Sequence, residues 1–226
     1  IAVAAGVLIP SSPAAATSTV LCSGYSSCAS KGYSNSGYSI SQSKSYWQMY
    51  TGTNCTNYVA YRLQTTNGMS NTRPRSGVGN ANVWGTVMSS ITNSTPAVGS
   101  VAWWGPSPGH HVAYVEKVVS PTEILVSESN WSGAFDWRRI VKSGSGWPNG
   151  FIHFADLAMK NTSAPVVTGT ARVGSTLSAS IGSWSPSPDS YTYAWLLDGV
   201  PITGATSATY KPAASQVTHK ISVAVT

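Results

Sequence analysis

A capped helix followed by short strand-like runs is the feature that most restricts what this chain can fold into. Asn54 is a favourable N-cap, Val59 and Leu63 fall on one helix face, and Gly68 supplies a left-handed C-cap, so a helix is predicted over residues 54–68. A second, short helix is predicted to begin at Asn80. Four apolar runs bounded by Gly or Pro come afterwards and predict strands, at 98–104, 111–119, 123–130 and 151–154. Helices first and strands afterwards predict an α+β fold.

A polar stretch at residues 160–165 marks the domain boundary, because its terminal Pro165 stops strand pairing or helix continuation. We therefore expect a larger domain over residues 17–160 and a smaller one over 161–226. The smaller one alternates apolar with small polar residues and shows no helical period, which predicts an all-β module. Its segment YTYAWLLDGVPITGATSATYKP resembles the immunoglobulin-like repeats appended to secreted bacterial wall enzymes, with Trp195 as the core tryptophan. The repeat stops inside a strand pattern, so we expect it to be truncated.

The first sixteen residues have the pattern of an export signal. The apolar run IAVAAGVLIP is followed by Ala14-Ala15-Ala16, the small-residue pattern after which signal peptidase cuts. Residues 1–16 are therefore interpreted as a signal-peptide remnant, with a mature start near Thr17 and a secreted, extracellular or wall-associated protein. A buried N-terminal strand or helix is the alternative. Since no other segment approaches the roughly 18 apolar residues of a membrane span, we expect the mature form to be outside the membrane.

Composition narrows the choice of partner. Hydrophobic residues make up 42% of the chain and charged residues 9%, which excludes disorder driven by charge. The formal net charge is +6, yet no cluster of basic residues is longer than the pair Arg138 and Arg139, and no nucleic-acid-binding motif is present. We therefore expect no nucleic-acid partner, whereas a polyanionic cell wall suits this charge. Arg73 and Arg75 are interpreted as solvated loop residues, with contact to an acidic stem peptide as the alternative.

Three cysteines in an exported chain predict one disulfide and one free thiol. Cys22 and Cys28 are joined by a flexible polar loop and are the favoured pair of the three combinations. Cys55 is left over, in the first turn of the predicted helix, where the helix dipole and the unpaired amides favour a thiolate and could hold an oxyanion. A small buried hydrophobe is the alternative role for this residue.

A thiolate nucleophile needs a base, and the predicted hairpin of residues 111–130 offers two histidines. A register that pairs Ala113 with Glu128 or with Asn130 places His111, Glu128 and Asn130 on one face. A register shifted by one residue would place His110 there instead. In either case a carboxylate or amide oxygen on the same face could orient the imidazole.

Five segments, in this order, resemble the cysteine, histidine-dependent amidohydrolase/peptidase (CHAP) family of peptidoglycan hydrolases: NCTNYVAYRL, RPRSGVGNANVW, AVGSVAWWG, GHHVAYVE and VSESNW. The resemblance spans about residues 45–157. It implies a papain-like catalytic domain, with N-terminal helices packed on an antiparallel sheet, that hydrolyses wall amide bonds as an N-acetylmuramoyl-L-alanine amidase or as a stem or cross-bridge endopeptidase. It also implies Cys55 as nucleophile, His111 as base, because the family's histidine precedes Val-Ala, and Glu128 and Asn130 as orienting residues.

Neither a cofactor nor a metal is expected. A zinc site of Cys55, His111 and Glu128 is the competing interpretation, but the paired short spacings of structural zinc ligands are missing from the sequence. A non-catalytic wall-binding or adhesive protein on a papain-like scaffold is the competing function. The expected partner is bacterial peptidoglycan, and the expected state is a monomer.

Seven of the nine tryptophans fall into two groups by their sequence setting. Trp84, Trp103 and Trp195 lie in helix or strand patterns and are predicted to be core residues. The others of interest are predicted to fall at strand ends or in glycine-rich loops, where sugar rings could stack on them: Trp104, Trp131, Trp137 and Trp147.

Overall fold

The computed structural model describes residues 18–106, 110–143, 146–185, 188 and 190–226. These fall into two compact units, the first ending at Leu157 and the second beginning at Ala158. The predicted signal-peptide remnant, residues 1–16, and the mature start at Thr17 lie outside the described residues. Within those ranges, none of the helices has the length and apolar character needed to cross a membrane.

The first unit contains short helices and one seven-stranded sheet. Its α-helices are α1 (Tyr25–Ser30), α2 (Tyr38–Ser41), α3 (Cys55–Thr65) and α4 (Trp84–Val87), with 3₁₀ turns at Ala81–Val83 and Ser89–Ile91. Its strands are β1 (Ser18–Ser23), β2 (Thr92–Asn93), β3 (Val101–Trp104), β4 (His111–Ser120), β5 (Glu123–Ser129), β6 (Phe135–Val141) and β7 (Gly150–Ile152).

The sheet has the order β1-β6-β5-β4-β3-β7-β2, and all its neighbouring strands are antiparallel. Successive side chains of β4 point to opposite faces of the sheet and so pack into two different buried clusters. Val112 and Tyr114 belong to the cluster that contains α3, whereas Ala113 and Val115 belong to the other. A mixed fold with few helices and many antiparallel strands is thus confirmed. Trp84 and Trp103 are buried in the α3 cluster, as the sequence predicts.

Helix α3 begins where the sequence predicts it. The Asn54 side chain accepts hydrogen bonds from the backbone N–H groups of Thr56 (3.1 Å) and Asn57 (3.2 Å), which are donors that a helix start otherwise leaves unpaired. The helix ends at Thr65, and Gly68 takes the left-handed conformation (φ 76°) just after it. Cys55 is therefore held at the first position of a capped helix.

The hairpin of β4 and β5 changes register twice. Near the turn Ser120 faces Glu123, whereas near the other end Val115 faces Val126 and Tyr114 faces Ser127. The two intervening bulges insert one extra residue each into β4. Because each bulge reverses the alternation, two of them restore it, and the register at the far end puts Ala113 opposite Glu128, which is one of the two registers that select His111 over His110.

Three strands of the first unit were missing from the sequence prediction, namely β1, β2 and β6. β1 and β6 pair with each other, and β6 also pairs with β5. Consequently Trp137 lies in the middle of β6, which corrects its predicted setting at a strand end or in a loop. The Cys22–Cys28 disulfide predicted from the sequence joins β1 to α1, with a Cα–Cα distance of 5.0 Å.

The second unit is built from short strands and one 3₁₀ turn, Ala214–Gln216. Trp195 is completely buried in it and stacks on Tyr210, with ring centroids 5.4 Å apart. The strands form two three-stranded sheets and one two-stranded sheet: β8 (Lys160–Ser163), β9 (Val167–Thr168), β10 (Leu177–Ala179), β11 (Ser183–Ser185), β12 (Tyr193–Leu197), β13 (Val200–Pro201), β14 (Thr209–Tyr210) and β15 (Ile221–Val225).

Candidate active site

Cys55 is a half-buried free thiol at the start of α3. The side chain of His111 and the backbone N–H groups of Val112 and Thr56 lie close to its sulfur and lower the pKa of the thiol. Helix α3 and strand β4 thus meet at this sulfur, since one supplies the thiol and the other supplies the histidine and one of the amides. Three donors around one sulfur favour the thiolate over the thiol.

His111 is 4% exposed and lies between the thiol and a carboxylate. Its Nε2 is 2.9 Å from Oε2 of Glu128, on the adjacent strand β5. Since Nε2 is engaged with the carboxylate, Nδ1 is the ring nitrogen left for Cys55. The ring can therefore exchange a proton with the sulfur through Nδ1 while Glu128 keeps the proton on Nε2.

The pKa values of Cys55 and His111 are shifted in opposite directions from their usual values. Burial alone would raise the pKa of Cys55, but the hydrogen bond and the positive charge of His111, with the two backbone amides, outweigh it and lower that pKa below its usual 9.0. Burial alone would lower the pKa of His111, but its hydrogen bonds to Cys55 and Glu128 outweigh it and raise that pKa to about 9. Near neutral pH the site therefore favours a thiolate and an imidazolium.

Glu128 is completely buried and is held by Arg138 of β6. Arg138 donates from Nε to one carboxylate oxygen and from Nη2 to the other, the latter at 2.8 Å. Burial works to raise the pKa of Glu128, but the hydrogen bonds from His111 and Arg138 outweigh it and lower that pKa. Arg138 also donates from Nη1 to Oγ of Ser18 at 3.0 Å. The result is a continuous row of four side chains, which we call the charged row: Cys55, His111, Glu128 and Arg138.

Arg138 is the member of the charged row that sequence reasoning missed. It was counted only as half of a basic pair, although it is 1% exposed. The signal that could have identified it is the two-residue alternation of β6, which places Arg138 on the same face as the buried Ile140. A basic residue at a buried strand position needs a buried acid beside it, and here the acid is Glu128 on the neighbouring strand.

Two of the four tryptophans predicted to contact sugars lie beside His111. The ring of Trp131 is 5.1 Å from the His111 ring and that of Trp104 is 5.9 Å from it, between centroids. The Arg138 guanidinium lies 3.9 Å from the Trp131 ring centroid. Trp104 is buried, whereas Trp131 is 44% exposed. Trp131 thus presents one aromatic ring to solvent directly above the charged row.

The other two tryptophans have contacts elsewhere in the first unit. Trp137 packs against Tyr33, with ring centroids 5.0 Å apart, and donates to the backbone of Ser34. Trp147 packs against Phe151, with centroids 5.7 Å apart. These contacts do not connect either ring to the charged row.

A cleft of about 480 Å³ opens onto the thiol and the histidine. Asn130 lies on its wall, just past the end of β5, in the left-handed conformation (φ 68°) and with an exposed side chain. Among the described residues, the hydrogen-bond partner of His111 on this hairpin is therefore Glu128. The complete lining is Gln48, Met49, Tyr50, Asn54, Cys55, Thr56, Arg73, Gly79, Asn80, Ala81, His110, His111 and Asn130.

The helix start offers fewer oxyanion donors than the sequence suggests. The backbone N–H groups of Thr56 and Asn57 already donate to the Asn54 side chain. The backbone N–H of Tyr58 donates to the backbone carbonyl oxygen of Asn54 at 3.0 Å. The amide of Cys55 itself is the donor at this terminus that these bonds leave available. Such an amide is adjacent to the attacking sulfur, where the oxygen of a tetrahedral intermediate develops.

Comparison with known families agrees with this geometry. The family model of the CHAP domain matches residues 44–130, a span that includes Cys55, His111, Glu128 and Asn130. CHAP domains are typically cysteine- and histidine-dependent amidohydrolases or peptidases, and the match implies a peptidoglycan hydrolase or an amidase-like function. No solved structure matches the chain.

Proposed function

We propose that this protein is a secreted enzyme that hydrolyses amide bonds of bacterial peptidoglycan through the Cys55 thiolate. The observation that carries the proposal is the hydrogen-bonded sequence of Cys55, His111 and Glu128 beside an open cleft. The candidate bonds are the N-acetylmuramoyl-L-alanine amide and the peptide bonds of the stem or cross-bridge. The disulfide and the N-terminal export pattern support an oxidising compartment outside the cell.

In the first half-reaction the Cys55 sulfur attacks the carbonyl carbon of the scissile amide. The carbonyl oxygen becomes an oxyanion, to which the Cys55 amide donates. His111 then gives its Nδ1 proton to the leaving nitrogen, the C–N bond breaks, and an amine departs, which leaves a thioester on Cys55.

In the second half-reaction the neutral His111 accepts a proton from water at Nδ1. The resulting hydroxide attacks the thioester carbon, the C–S bond breaks, and the product leaves as a carboxylic acid. Cys55 returns as a thiolate beside an imidazolium, which is the pair favoured near neutral pH.

The remaining residues position these groups. Glu128 holds the Nε2 proton of His111, and Arg138 holds Glu128 in place and keeps it ionised. Asn130 adds a polar group to the cleft wall. Trp131 offers an exposed ring for a sugar, supported by Trp104 below it. The second unit, as an immunoglobulin-like repeat, would supply attachment to the wall.

Replacement of the nucleophile tests the proposal. We expect Cys55→Ala to abolish lysis of purified walls in a zymogram, and His111→Ala to lower the rate by at least about a hundredfold, because both proton transfers need the ring. His219→Ala, which changes a histidine of the second unit, is the matched control and should keep the wild-type rate. Wall lysis by a folded Cys55→Ala protein would refute the thiol mechanism, and mass spectrometry of the wild-type fragments identifies the bond.

A further inference from the structure

Arg73 brings a positive charge to the same cleft that contains the thiol. The formally charged side chains of the lining are otherwise the reacting pair, Cys55 and His111, whose charges cancel. No Asp or Glu occurs among the described residues that line the cleft. A substrate entering it therefore meets one uncompensated cation.

The position of this guanidinium is fixed by the backbone around it. Arg73 donates from Nε to the carbonyl oxygen of Trp47 at 3.0 Å and from Nη2 to that of Gln48 at 3.1 Å. Trp47 and Gln48 are consecutive non-glycine residues in the left-handed conformation, with φ of 50° and 60°. Such a conformation is costly and persists only where its surroundings enforce it.

The contacts of Trp47 hold the backbone in this conformation. Its side chain is completely buried and donates from Nε1 to the carbonyl oxygen of Ser70 at 2.9 Å, and its backbone N–H donates to the Asn71 side chain at 2.9 Å. The loop that orients Arg73 is thus anchored in the core, and the guanidinium is ordered before any substrate arrives. An ordered cation loses less entropy on binding than a free one.

Arg73 also differs from three other arginines of the first unit. The guanidinium groups of Arg62, Arg138 and Arg139 each face a glutamate. Within the described part of the chain, Arg73 has no ion-pair partner, and its two backbone hydrogen bonds use two of the five N–H donors of a guanidinium. The remaining donors are free for an acceptor from the substrate.

We propose that Arg73 forms a carboxylate-binding subsite, so that the preferred substrate is a wall peptide with an ionised carboxyl group near the bond that is cut. A planar guanidinium matches a planar carboxylate with two parallel hydrogen bonds, which a peptide amide cannot reproduce. This inference rests on the proposed hydrolysis of wall amides and names the peptide feature that the enzyme selects.

The test compares two forms of one substrate. Purified peptidoglycan is used either with its peptide carboxyl groups free or with those groups converted to amides by carbodiimide coupling with ammonia. The rate of release of soluble fragments is measured as kcat/KM. Because hydrogen bonds to a charged group are worth about ten- to a hundredfold in binding, we expect the wild type to prefer the free-carboxyl wall by at least about tenfold.

The variant Arg73→Gln should lose that preference by slowing on the free-carboxyl wall and keeping its rate on the amidated wall. Arg75→Gln is the matched control, since Arg75 also donates to a backbone carbonyl, that of Val87 at 3.0 Å, but does not line the cleft. It should behave as the wild type does.

Three results would count against the subsite. Equal slowing of Arg73→Gln on both walls would show that Arg73 only supports the loop. Equal rates of the wild type on the free-carboxyl and amidated walls would show that no carboxylate is recognised. Either result leaves the proposed hydrolysis intact. A wild type inactive on both walls would overturn the proposed function and this inference together.

Discussion

At the scale of single residues, His111 is where burial and hydrogen bonding compete most directly. The ring is almost completely buried, which disfavours its charge, yet it lies between a thiolate and a carboxylate that both favour it. The outcome is a pKa of about 9 rather than the usual 6.5. The ring is therefore charged before substrate binds, and it can act as the acid in the first half-reaction without first collecting a proton.

This balance predicts the alkaline limit of activity. The imidazolium is present below its pKa and is lost as the pH rises through about 9, so kcat/KM of the wild type should fall in that range. Glu128→Gln removes the carboxylate charge and leaves the burial that lowers the pKa, so its alkaline limb should move to lower pH. The measurement is kcat/KM against pH on a soluble wall fragment.

Glu123→Gln is the control for that experiment. Glu123 lies on the same strand and is also paired with an arginine, Arg139, but both side chains are partly exposed near the hairpin turn. Its pH profile should match that of the wild type. An unshifted alkaline limb in Glu128→Gln would contradict the role given to the carboxylate.

At the scale of secondary-structure elements, the first bulge of β4 connects the hairpin to the helix that carries the thiol. Its extra residue is Glu116, which accepts hydrogen bonds from Arg62 of α3 and from Ser127 of β5. Arg62 also donates to the hydroxyl of Tyr58 at 2.9 Å. One ion pair thus links α3 to both strands of the hairpin, and the relative placement of Cys55 and His111 depends on it.

Removal of Arg62 should destabilise the fold, because the mostly buried carboxylate of Glu116 would lose its positively charged partner. We expect Arg62→Met to lower the free energy of unfolding by about 3–5 kcal/mol, measured by urea denaturation. Arg139→Met, which breaks an exposed pair, should leave the denaturation midpoint nearly unchanged. Similar midpoints for the two variants would show that the Arg62 pair contributes no more than a surface pair.

The elements also show what local patterns could and could not predict. Helix α3 was predictable because its cap and its apolar face are both local features. Strand β6 was not, because it buries Asp136 and Arg138 at positions where a local pattern expects apolar residues. The same burial explains why Arg138 was missed while Cys55, His111 and Glu128 were named as candidate site residues from the sequence. The sequence offered contact of Arg73 with an acidic peptide only as an alternative, because the backbone carbonyl groups that orient its guanidinium lie over twenty positions away.

At the scale of the whole molecule, the chain separates into two units, and every contact described for the charged row lies within the first. The second unit begins at Ala158, and its first strand, β8, pairs with β11 inside that unit. The last residue of the first unit, Leu157, donates from its backbone N–H to the carbonyl oxygen of Val98 in the same unit at 2.9 Å.

Truncation after Met159 should consequently preserve the catalytic unit. We expect the shortened protein to keep its near-ultraviolet circular dichroism and to hydrolyse a soluble wall fragment within about twofold of the full chain, since roughly twofold corresponds to well under 1 kcal/mol. On intact walls it should act more slowly if the second unit supplies attachment. Loss of activity on the soluble fragment would show that the catalytic unit depends on residues of the second.

The pairing of β1 with β6 has a consequence for the order in which the first unit can fold. Ser18, at the start of β1, contacts Arg138 across 120 positions of sequence. During synthesis the partner strand does not exist until residue 141 has been added, so β1 cannot pair until more than a hundred further residues have been made. Cys55 likewise precedes His111, Glu128 and Arg138 in the sequence. A chain that is still being synthesised therefore contains the thiol before it contains the histidine that lowers the pKa of this thiol and the two residues that hold this histidine in place.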